Sequence, residues 1–238
     1  MIVFLTEPGS VERDPGYGTV DTIFPTMVFA GTAQMQLYGR SSSHFTRIAR
    51  IFAAEAEVAI DFILIRDLMS ENPDDYGGHP AMKMPTLHTE AGIWYGSLPI
   101  SRELVACSES GLHVVWPEDH DRPVAANAQE LVLTAMSTEV GLIMGKATGV
   151  PADNSHQAKM RSSLLGAMEW LELNAGRAID TLAPERDLSF LEVSLFCLLE
   201  HLEFREVLAL DAYPELRAFA QRFATRSSAM ATAYKFDF

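Results

Sequence analysis

Cysteine is scarce in this sequence, which has only Cys107 and Cys197 among 238 residues. Two distant cysteines cannot form a disulfide framework, a zinc–thiolate cluster or a C-x-x-C redox pair, so we interpret both as small buried hydrophobic residues. Such sparing use of cysteine is typical of a reducing compartment, and we expect a cytoplasmic protein. No metal is expected either, because the spacing of metal ligands is missing around three histidines: His88, His113 and His201.

Long apolar runs and an excess of basic residues are also missing. No stretch approaches about 18 uninterrupted apolar residues, and Glu7, Glu12 and Asp14 lie where a secretory signal would be positively charged. We therefore expect neither a membrane span nor export by that route. With 32 acidic and 18 basic residues, the net charge is −14, which opposes binding to nucleic acid and to anionic membranes.

The chain does contain enough apolar material for a substantial core. Hydrophobic residues make up 48% of it, and its length fits two compact domains. Residues 1–34 mix glycine and proline with short apolar pieces, and we interpret them as an N-terminal extension. Met35 begins the first segment that is typical of a domain core.

Residues 35–114 alternate between strand and helix patterns, which predicts a mixed α/β domain. The run 58–65 is almost continuously apolar, as is typical of a strand buried on both faces. The predicted elements are strands over 35–38 and 58–65 with a helix around 48–52 between them, then strands over 86–89 and 93–95 and a helix over about 98–107.

Strand patterns cease after the linker Trp116–Asp119, and residues 121–238 have helical periodicity almost throughout. The best-marked helix begins at Ser189, whose hydroxyl can cap the helix while the Glu192 side chain reaches back. Pro214 fits the first turn of the last helix. We predict an all-α domain over 121–238. The helix at Ser189 should bury four leucines at helical spacing: Leu191, Leu195, Leu198 and Leu202.

Three segments could carry chemistry, and the first is residues 40–47, between the first strand and the first helix. Ser43 is the predicted N-cap of that helix, where a hydroxyl is well placed to stabilise a bound anion. The alternative is that the serines here only cap the helix. His44 could act as a base beside Ser43, or it could be an ordinary surface histidine.

The second segment is residues 79–87, His-Pro-Ala-Met-Lys-Met-Pro-Thr-Leu. Pro85 lies directly before a predicted strand, where proline removes a ladder donor, and a cis Met84–Pro85 bond would supply a suitable geometry. The third segment is Gly96–Ser97 at the start of a helix. The N–H groups of such a helix end form another possible anion site.

Together these segments resemble the first domain of the glutathione transferases, from Met35 onward. That family has a strand, a loop bearing Ser, Tyr or Cys, a helix, then N-P-x-G-K-V-P-x-L and Glu/Asp-Ser-x-x-Ile. The linker Trp116–Asp119, the capped helix at Ser189 and the run Tyr213–Leu216 resemble its second domain. The resemblance implies an α/β thioredoxin-like N-terminal domain, here over 35–114, followed by an all-α C-terminal domain.

The resemblance also implies how the tripeptide glutathione would bind. Met84 resembles the residue whose backbone pairs with the cysteinyl part, and Pro85 resembles the cis proline of the family. Lys83 would lie near the glycyl end, and Ser97 would bond to the γ-glutamyl carboxylate. Gly96 departs from the family pattern, because an acidic or amide side chain usually stands there, and its loss would weaken binding by roughly 1.5–3 kcal/mol.

The same resemblance leaves two candidates for the catalytic hydroxyl. Aligning the loop through Arg47 places Ser43 at the catalytic position, whereas a register through Arg40 points to Ser41. Neither alignment decides between them.

The implied activity is attack by the glutathione thiolate on a small electrophilic substrate, in a homodimer with glutathione as co-substrate. The alternative is a non-catalytic binding or scaffold protein of the same fold with weak or no use of glutathione, which Gly96 favours. A glutaredoxin-like thiol oxidoreductase is a third possibility. The lack of cysteine in residues 41–44 argues against it.

Overall fold

The computed structural model describes residues 35–151 and 153–237. The N-terminal extension predicted for residues 1–34 lies outside the described residues. The strands are β1 Met35–Gly39, β2 Ile60–Leu64, β3 Thr86–Thr89, β4 Gly92–Tyr95, β5 Val114–Val115 and β6 Leu188–Ser189. The helices are α1 His44–Glu55, α2 Ser97–Ala106, α3 Pro123–Ala147, α4 Ser155–Asp180, α5 Phe190–Phe204, α6 Pro214–Phe223 and α7 Ser227–Ala231.

A four-stranded mixed sheet in the order β2-β1-β3-β4 precedes the long helices. The sequence predicts the four strands and a mixed α/β domain, but not the order of the strands. β1 pairs parallel with β2 and antiparallel with β3, which in turn pairs antiparallel with β4. The prediction that 58–65 is buried on both faces is wrong. β2 is an edge strand, and its residues Ile60–Ile63 are only half-buried, because one side has no neighbouring strand.

The helical part buries the predicted leucine stripe of α5. The exposed fraction of each of these leucines is 1% or less, for Leu191, Leu195, Leu198 and Leu202. Ser189 caps α5 as predicted, since its Oγ accepts from Glu192 N–H at 3.1 Å. The Glu192 carboxylate accepts from the Ser189 hydroxyl and from Arg186. In the described part of the chain, no helix has both the length and the apolar content to cross a membrane.

The expectation that strands end at Trp116 is wrong, because β6 follows much later and pairs parallel with β5. The two pairs are Val114 with Leu188 and Val115 with Ser189. A two-residue strand is too short for sequence periodicity to reveal it. Its pairing depends on contacts between residues far apart in the chain.

Helix α1 joins the sheet to the helical part. Ile48, Ile51 and Phe52 on α1 are fully buried, and the Phe52 ring stacks on Trp116 and Phe190. We call the polar and aromatic contacts of Arg47, Phe52 and Glu55 with residues 190–196 and 226–234 the α1 seam. This seam holds α1 against the helical part along most of its length, from Arg47 in the first turn to Glu55 at the last residue.

The two cysteines differ from each other in exposure. Cys197 is fully buried, as predicted, and burial raises the pKa of its thiol to about 12. Cys107 is exposed, so its interpretation as a buried residue is wrong. It is the C-cap of α2, and that helix buries other positions, Ile100 and Leu104.

Candidate functional site

The pairing register of the sheet brings the three predicted segments together where β1 and β4 end and β3 begins, at one edge of the sheet. Tyr38, near the end of β1, pairs with Thr86, and Thr86 pairs with Tyr95 at the end of β4. The residues just beyond these pairs are the loop after β1, Pro85 before β3 and Gly96 after β4. Because neighbouring strands lie about 4.7–4.9 Å apart, one small molecule can reach all three segments. We call this the glutathione edge, after the ligand that the resemblance implies.

The serine loop, residues 40–43, ends at the predicted N-cap. Ser43 has an extended backbone, and its Oγ accepts from Thr46 N–H at 3.3 Å. A turn closed by the bond from Ser43 N–H to the Arg40 carbonyl, at 3.1 Å, holds it there. Capping uses only the acceptor side of the hydroxyl, so the proton of Ser43 stays available to a bound anion.

The other two serines of the loop are held by the helical part. Ser41 is 2% exposed, and its N–H donates to Asp237 Oδ2 at 2.7 Å. The Ser42 carbonyl accepts from His201 Nε2 at 2.9 Å. Ser43 is half-buried and is therefore the more accessible of the two candidate hydroxyls, Ser43 and Ser41.

The Met84–Pro85 peptide bond is cis, as the sequence predicts. Pro85 is buried, and its carbonyl accepts from Gly96 N–H at 3.0 Å, which ties the second segment to the third. Met84 is half-buried, whereas Lys83 is exposed to solvent. The exposed ammonium group of Lys83 is free to meet an anionic end of a ligand.

Gly96 has a backbone conformation that favours glycine. Its φ of 81° and ψ of 156° lie in a region that is essentially restricted to glycine. Ser97 follows as the first residue of α2 and is 9% exposed. No side chain caps α2, so the N–H groups at its N-terminal end remain available for an anion.

A buried cluster behind the serine loop, which the sequence did not predict, is formed by His44 of α1, Glu139 of α3 and His201 of α5. Their exposed fractions are 1%, 0% and 3%. His201 Nδ1 lies 2.7 Å from Glu139 Oε1, and His44 Nδ1 lies 3.2 Å from Glu139 Oε2. The expectation that His44 is either a base or a surface residue overlooked this burial. The available signal was a charged or polar residue on the apolar face of a helix, at Glu139 and at His201.

Burial and contact determine the charges of this cluster. Burial lowers the pKa of His44 to about 4, against the opposing effect of Glu139, so the ring is neutral at neutral pH. Burial alone would raise the pKa of Glu139. The contacts with His201 and His44 outweigh burial and hold that pKa below its ordinary value, so Glu139 is a carboxylate.

Two clefts in the helical part lie away from the glutathione edge. One, of about 580 Å³, lies between α4 and α6, and the other, of about 820 Å³, lies among α3, α4 and the residues after α5. Neither is lined by the serine loop or by the segments at Pro85 and Gly96.

Neither a protein-family model nor a curated protein matches the sequence. Solved structures do match the fold. A glutathione S-transferase from Methylobacillus flagellatus with GSH bound has 22% identity and a TM-score of 0.68, covering 85% of this chain and 100% of that one. A glutathione transferase family member from Pseudomonas fluorescens with bound glutathione has 19% identity and a TM-score of 0.68, covering 85% and 100%.

A third structure, a glutathione S-transferase from Methylobacterium radiotolerans in complex with glutathione sulfonate, has 17% identity and a TM-score of 0.66. It covers 87% of this chain and 98% of that one. In all three the match extends over nearly the whole solved chain, so it includes both the sheet and the helical part. The chain described here has the fold of the glutathione transferases, a thioredoxin-like part followed by a mostly helical part.

Proposed function

We propose that this chain is a glutathione transferase, which binds glutathione at the glutathione edge and transfers its thiolate to a small electrophilic molecule. In this proposal, residues 35–114 form the glutathione-binding domain and residues 121–238 form the helical domain. The protein acts in the cytoplasm as a homodimer. Sedimentation at micromolar concentrations tests the dimer, and a monomer throughout that range contradicts it.

One observation carries the proposal. The sheet register brings the serine loop, the backbone at Met84–Pro85 and the uncapped N-terminus of α2 together at a single edge, where an extended peptide could pair with backbone groups. In the proposed complex the Met84 backbone pairs with the cysteinyl part. Ser97 and the N–H groups of α2 bind the γ-glutamyl carboxylate, and Lys83 meets the glycyl end.

The proposed chemistry requires the thiolate form of glutathione. A free thiol has a pKa of about 8.5, and lowering it by about two units requires roughly 2.7 kcal/mol of differential stabilisation. One charge-assisted bond from the Ser43 hydroxyl contributes about 1.5–3 kcal/mol, and the helix end adds about 0.3–1 kcal/mol. The site therefore needs no cysteine of its own. Ser41 is the second choice, because its side chain is less accessible.

Two observations favour the alternative of a non-catalytic binding or scaffold protein. Gly96 has no side chain to hold the γ-glutamyl ammonium group, and the conformation there disfavours replacement by a larger residue. The Asp237 carboxylate contacts the serine loop at Ser41. A negative charge there opposes ionisation of a thiol bound nearby.

Calorimetric titration with glutathione distinguishes the two functions. The transferase proposal predicts saturable binding that Ser97→Ala weakens by about tenfold, the loss of one bond to a charged group. Ser110→Ala is the matched control, because Ser110 is an exposed serine away from the edge. If the parent protein shows no heat of binding at millimolar glutathione, the scaffold function replaces the transferase.

A further inference from the structure

The buried cluster of His44, Glu139 and His201 lies outside the proposed glutathione chemistry. Its members come from three helices, α1, α3 and α5, and their candidate ligand atoms all lie within 4.8 Å of one another. No exposed fraction in the cluster exceeds 3%. A group of this polarity is placed in a protein core only when its atoms have partners.

Three atoms of the cluster lack such partners. Within the described part of the chain, neither ring nitrogen of His44 has a hydrogen-bond partner, and neither does Glu139 Oε2. The 3.2 Å separation of His44 Nδ1 and Glu139 Oε2 is a close approach without hydrogen-bond geometry. Two of these three atoms, His44 Nδ1 and Glu139 Oε2, lie close together, which points to a missing partner that both could contact.

Hydrogen bonding alone satisfies only one of the two histidine rings, His201. Both nitrogens of His201 face oxygen acceptors, Glu139 Oε1 at 2.7 Å and the Ser42 carbonyl at 2.9 Å, so the ring satisfies both contacts when it carries two protons. That arrangement leaves both ring nitrogens of His44 without a hydrogen bond to any described residue. A partner that accepts a lone pair from each ring and from the carboxylate gives all three side chains a contact and leaves one ring nitrogen of His44 unpaired among the described residues.

The chemistry of the donor set identifies that partner. Imidazole nitrogens and a carboxylate oxygen are ligands of Zn²⁺ and related divalent transition metals. The bond from His201 Nε2 to the Ser42 carbonyl is the outer contact that metal-bound histidines usually make, and it leaves Nδ1, which faces Glu139, as the nitrogen that can bind an ion. A tetrahedral ion with bonds of about 2.0–2.1 Å needs ligand atoms about 3.3–3.4 Å apart. The pair of His44 Nδ1 and Glu139 Oε2, at 3.2 Å, is close to that spacing, and the pair of His201 Nδ1 and Glu139 Oε1, at 2.7 Å, must open by about 0.6 Å when an ion replaces the hydrogen bond between them.

We propose that His44 and His201, through ring nitrogens, and Glu139, through its carboxylate, bind one divalent transition-metal ion of the Zn²⁺ class. The ion displaces the proton between His201 and Glu139, and a water molecule supplies the remaining ligand. The positive charge of Arg205 acts on His44 and on Glu139 and works against the ion, whereas the net charge of −14 favours it. The site is structural: it ties the start of α1, next to Ser43, to the helical part.

Because the site is closed to solvent, the ion must enter while the chain folds or opens. The test therefore uses tag-free parent protein, unfolded in denaturant with a chelator and refolded with Zn²⁺, with Co²⁺ or with chelator alone. Metal content is measured by mass spectrometry, and the Co²⁺ form is examined for visible absorption bands. We expect about one ion per chain, Co²⁺ bands of a low-coordinate nitrogen–oxygen site, and a higher melting temperature than in the chelator sample.

Single substitutions test which side chains bind the ion. His44→Gln and Glu139→Gln should each abolish the Co²⁺ bands, whereas His156→Gln, at an exposed histidine outside the cluster, should retain them. If a cluster variant does not fold, the metal content and spectrum of the parent protein decide the question. Parent protein that takes up no stoichiometric metal under either refolding condition overturns the proposal, and so does a His44→Gln protein that keeps the Co²⁺ spectrum. The cluster then holds protons only.

Discussion

The glutathione edge and the α1 seam are built in different ways, although α1 takes part in both. At the edge, local features meet through strand register: a helix N-cap at Ser43, a proline before β3 and a glycine before α2. In the seam, single side chains reach partners about 170–185 residues away along the chain, from Arg47 and Glu55. Substitutions at the edge should therefore act mainly on ligand binding, and substitutions in the seam should act mainly on stability.

The largest effect is expected for Arg47→Met in the seam. Arg47 is 2% exposed, donates to the Ala229 carbonyl at 3.2 Å, and lies over the rings of Phe196 and Tyr234 at 4.7 and 4.2 Å. Losing a bond from a charged group and two cation–π contacts should lower the free energy of unfolding by about 3 kcal/mol, measured by urea denaturation.

Arg66→Met is the matched control, because Arg66 is exposed and the same side chain is exchanged. Its effect should stay within about 0.5 kcal/mol. A loss below about 1 kcal/mol in Arg47→Met would show that water replaces the lost contacts and that Arg47 does not hold the seam together.

The second-largest effect, a fall in turnover, is expected for a substitution of Ser43 at the glutathione edge. Ser43→Ala removes one charge-assisted bond to the thiolate, so turnover with a nitro-activated aryl halide should fall by roughly ten- to a hundredfold at neutral pH. Much of the loss should return at alkaline pH, since solution ionisation then replaces what the hydroxyl supplied. Stability should also fall by about 0.5–2 kcal/mol, because the cap bond to Thr46 N–H is lost.

Ser42→Ala is the control for this experiment, because it keeps the backbone carbonyl that contacts His201. Its rate and pH profile should match those of the parent protein. A pH-independent loss in Ser43→Ala would assign that serine to positioning the substrate. A shifted profile in Ser41→Ala would move the catalytic assignment to Ser41.

Local sequence signals predicted the edge and most of the fold. The cap at Ser189, the leucine stripe of α5 and the cis bond before Thr86 depend on a few neighbouring residues or on the family pattern. Sequence periodicity could not show that β2 is an edge strand, because strand order is set by the whole sheet. It also could not pair His44 with residues of α3 and α5, because each lies alone on its own helix.

The third-largest effect is expected at Gly96, where two substitutions distinguish the cost of backbone strain from the effect on glutathione binding. Gly96→Ala should lower the free energy of unfolding by about 1–3 kcal/mol, because a side chain is strained at this backbone conformation even though the space around it is open. Gly96→Glu should have the same cost and should also bind glutathione about tenfold more tightly, by bonding to the γ-glutamyl ammonium group. Urea denaturation and calorimetry measure the two quantities.

Gly166→Ala provides the contrast, since Gly166 lies in the middle of α4 with no atom close to its side-chain position. Alanine there should stabilise the protein by about 0.5–1 kcal/mol, because glycine is a poor helix former. If Gly96→Glu gains no affinity over Gly96→Ala, the γ-glutamyl end does not bind at the start of α2 as proposed.

The smallest effect is expected for Glu55→Gln in the seam, and its dependence on pH is the informative part. The Glu55 carboxylate accepts two bonds of 2.8 Å from Arg226 and a further bond from Ser228, and these contacts hold its pKa below the ordinary value. A carboxyl with a lowered folded pKa stabilises the protein above its unfolded pKa of about 4.3 and loses that contribution as the pH falls through the folded pKa.

Glutamine cannot titrate. The variant should therefore be less stable than the parent by about 1 kcal/mol near neutral pH, a modest value because the Arg226 side chain is 34% exposed. The difference should shrink steadily in acid, as Glu55 of the parent becomes protonated. Urea denaturation of both proteins from about pH 7 to about pH 3 measures it, with Glu109→Gln at an exposed position as the control. A difference that stays constant with pH would mean that Glu55 stabilises the seam through packing and neutral hydrogen bonds, and that its charge contributes nothing.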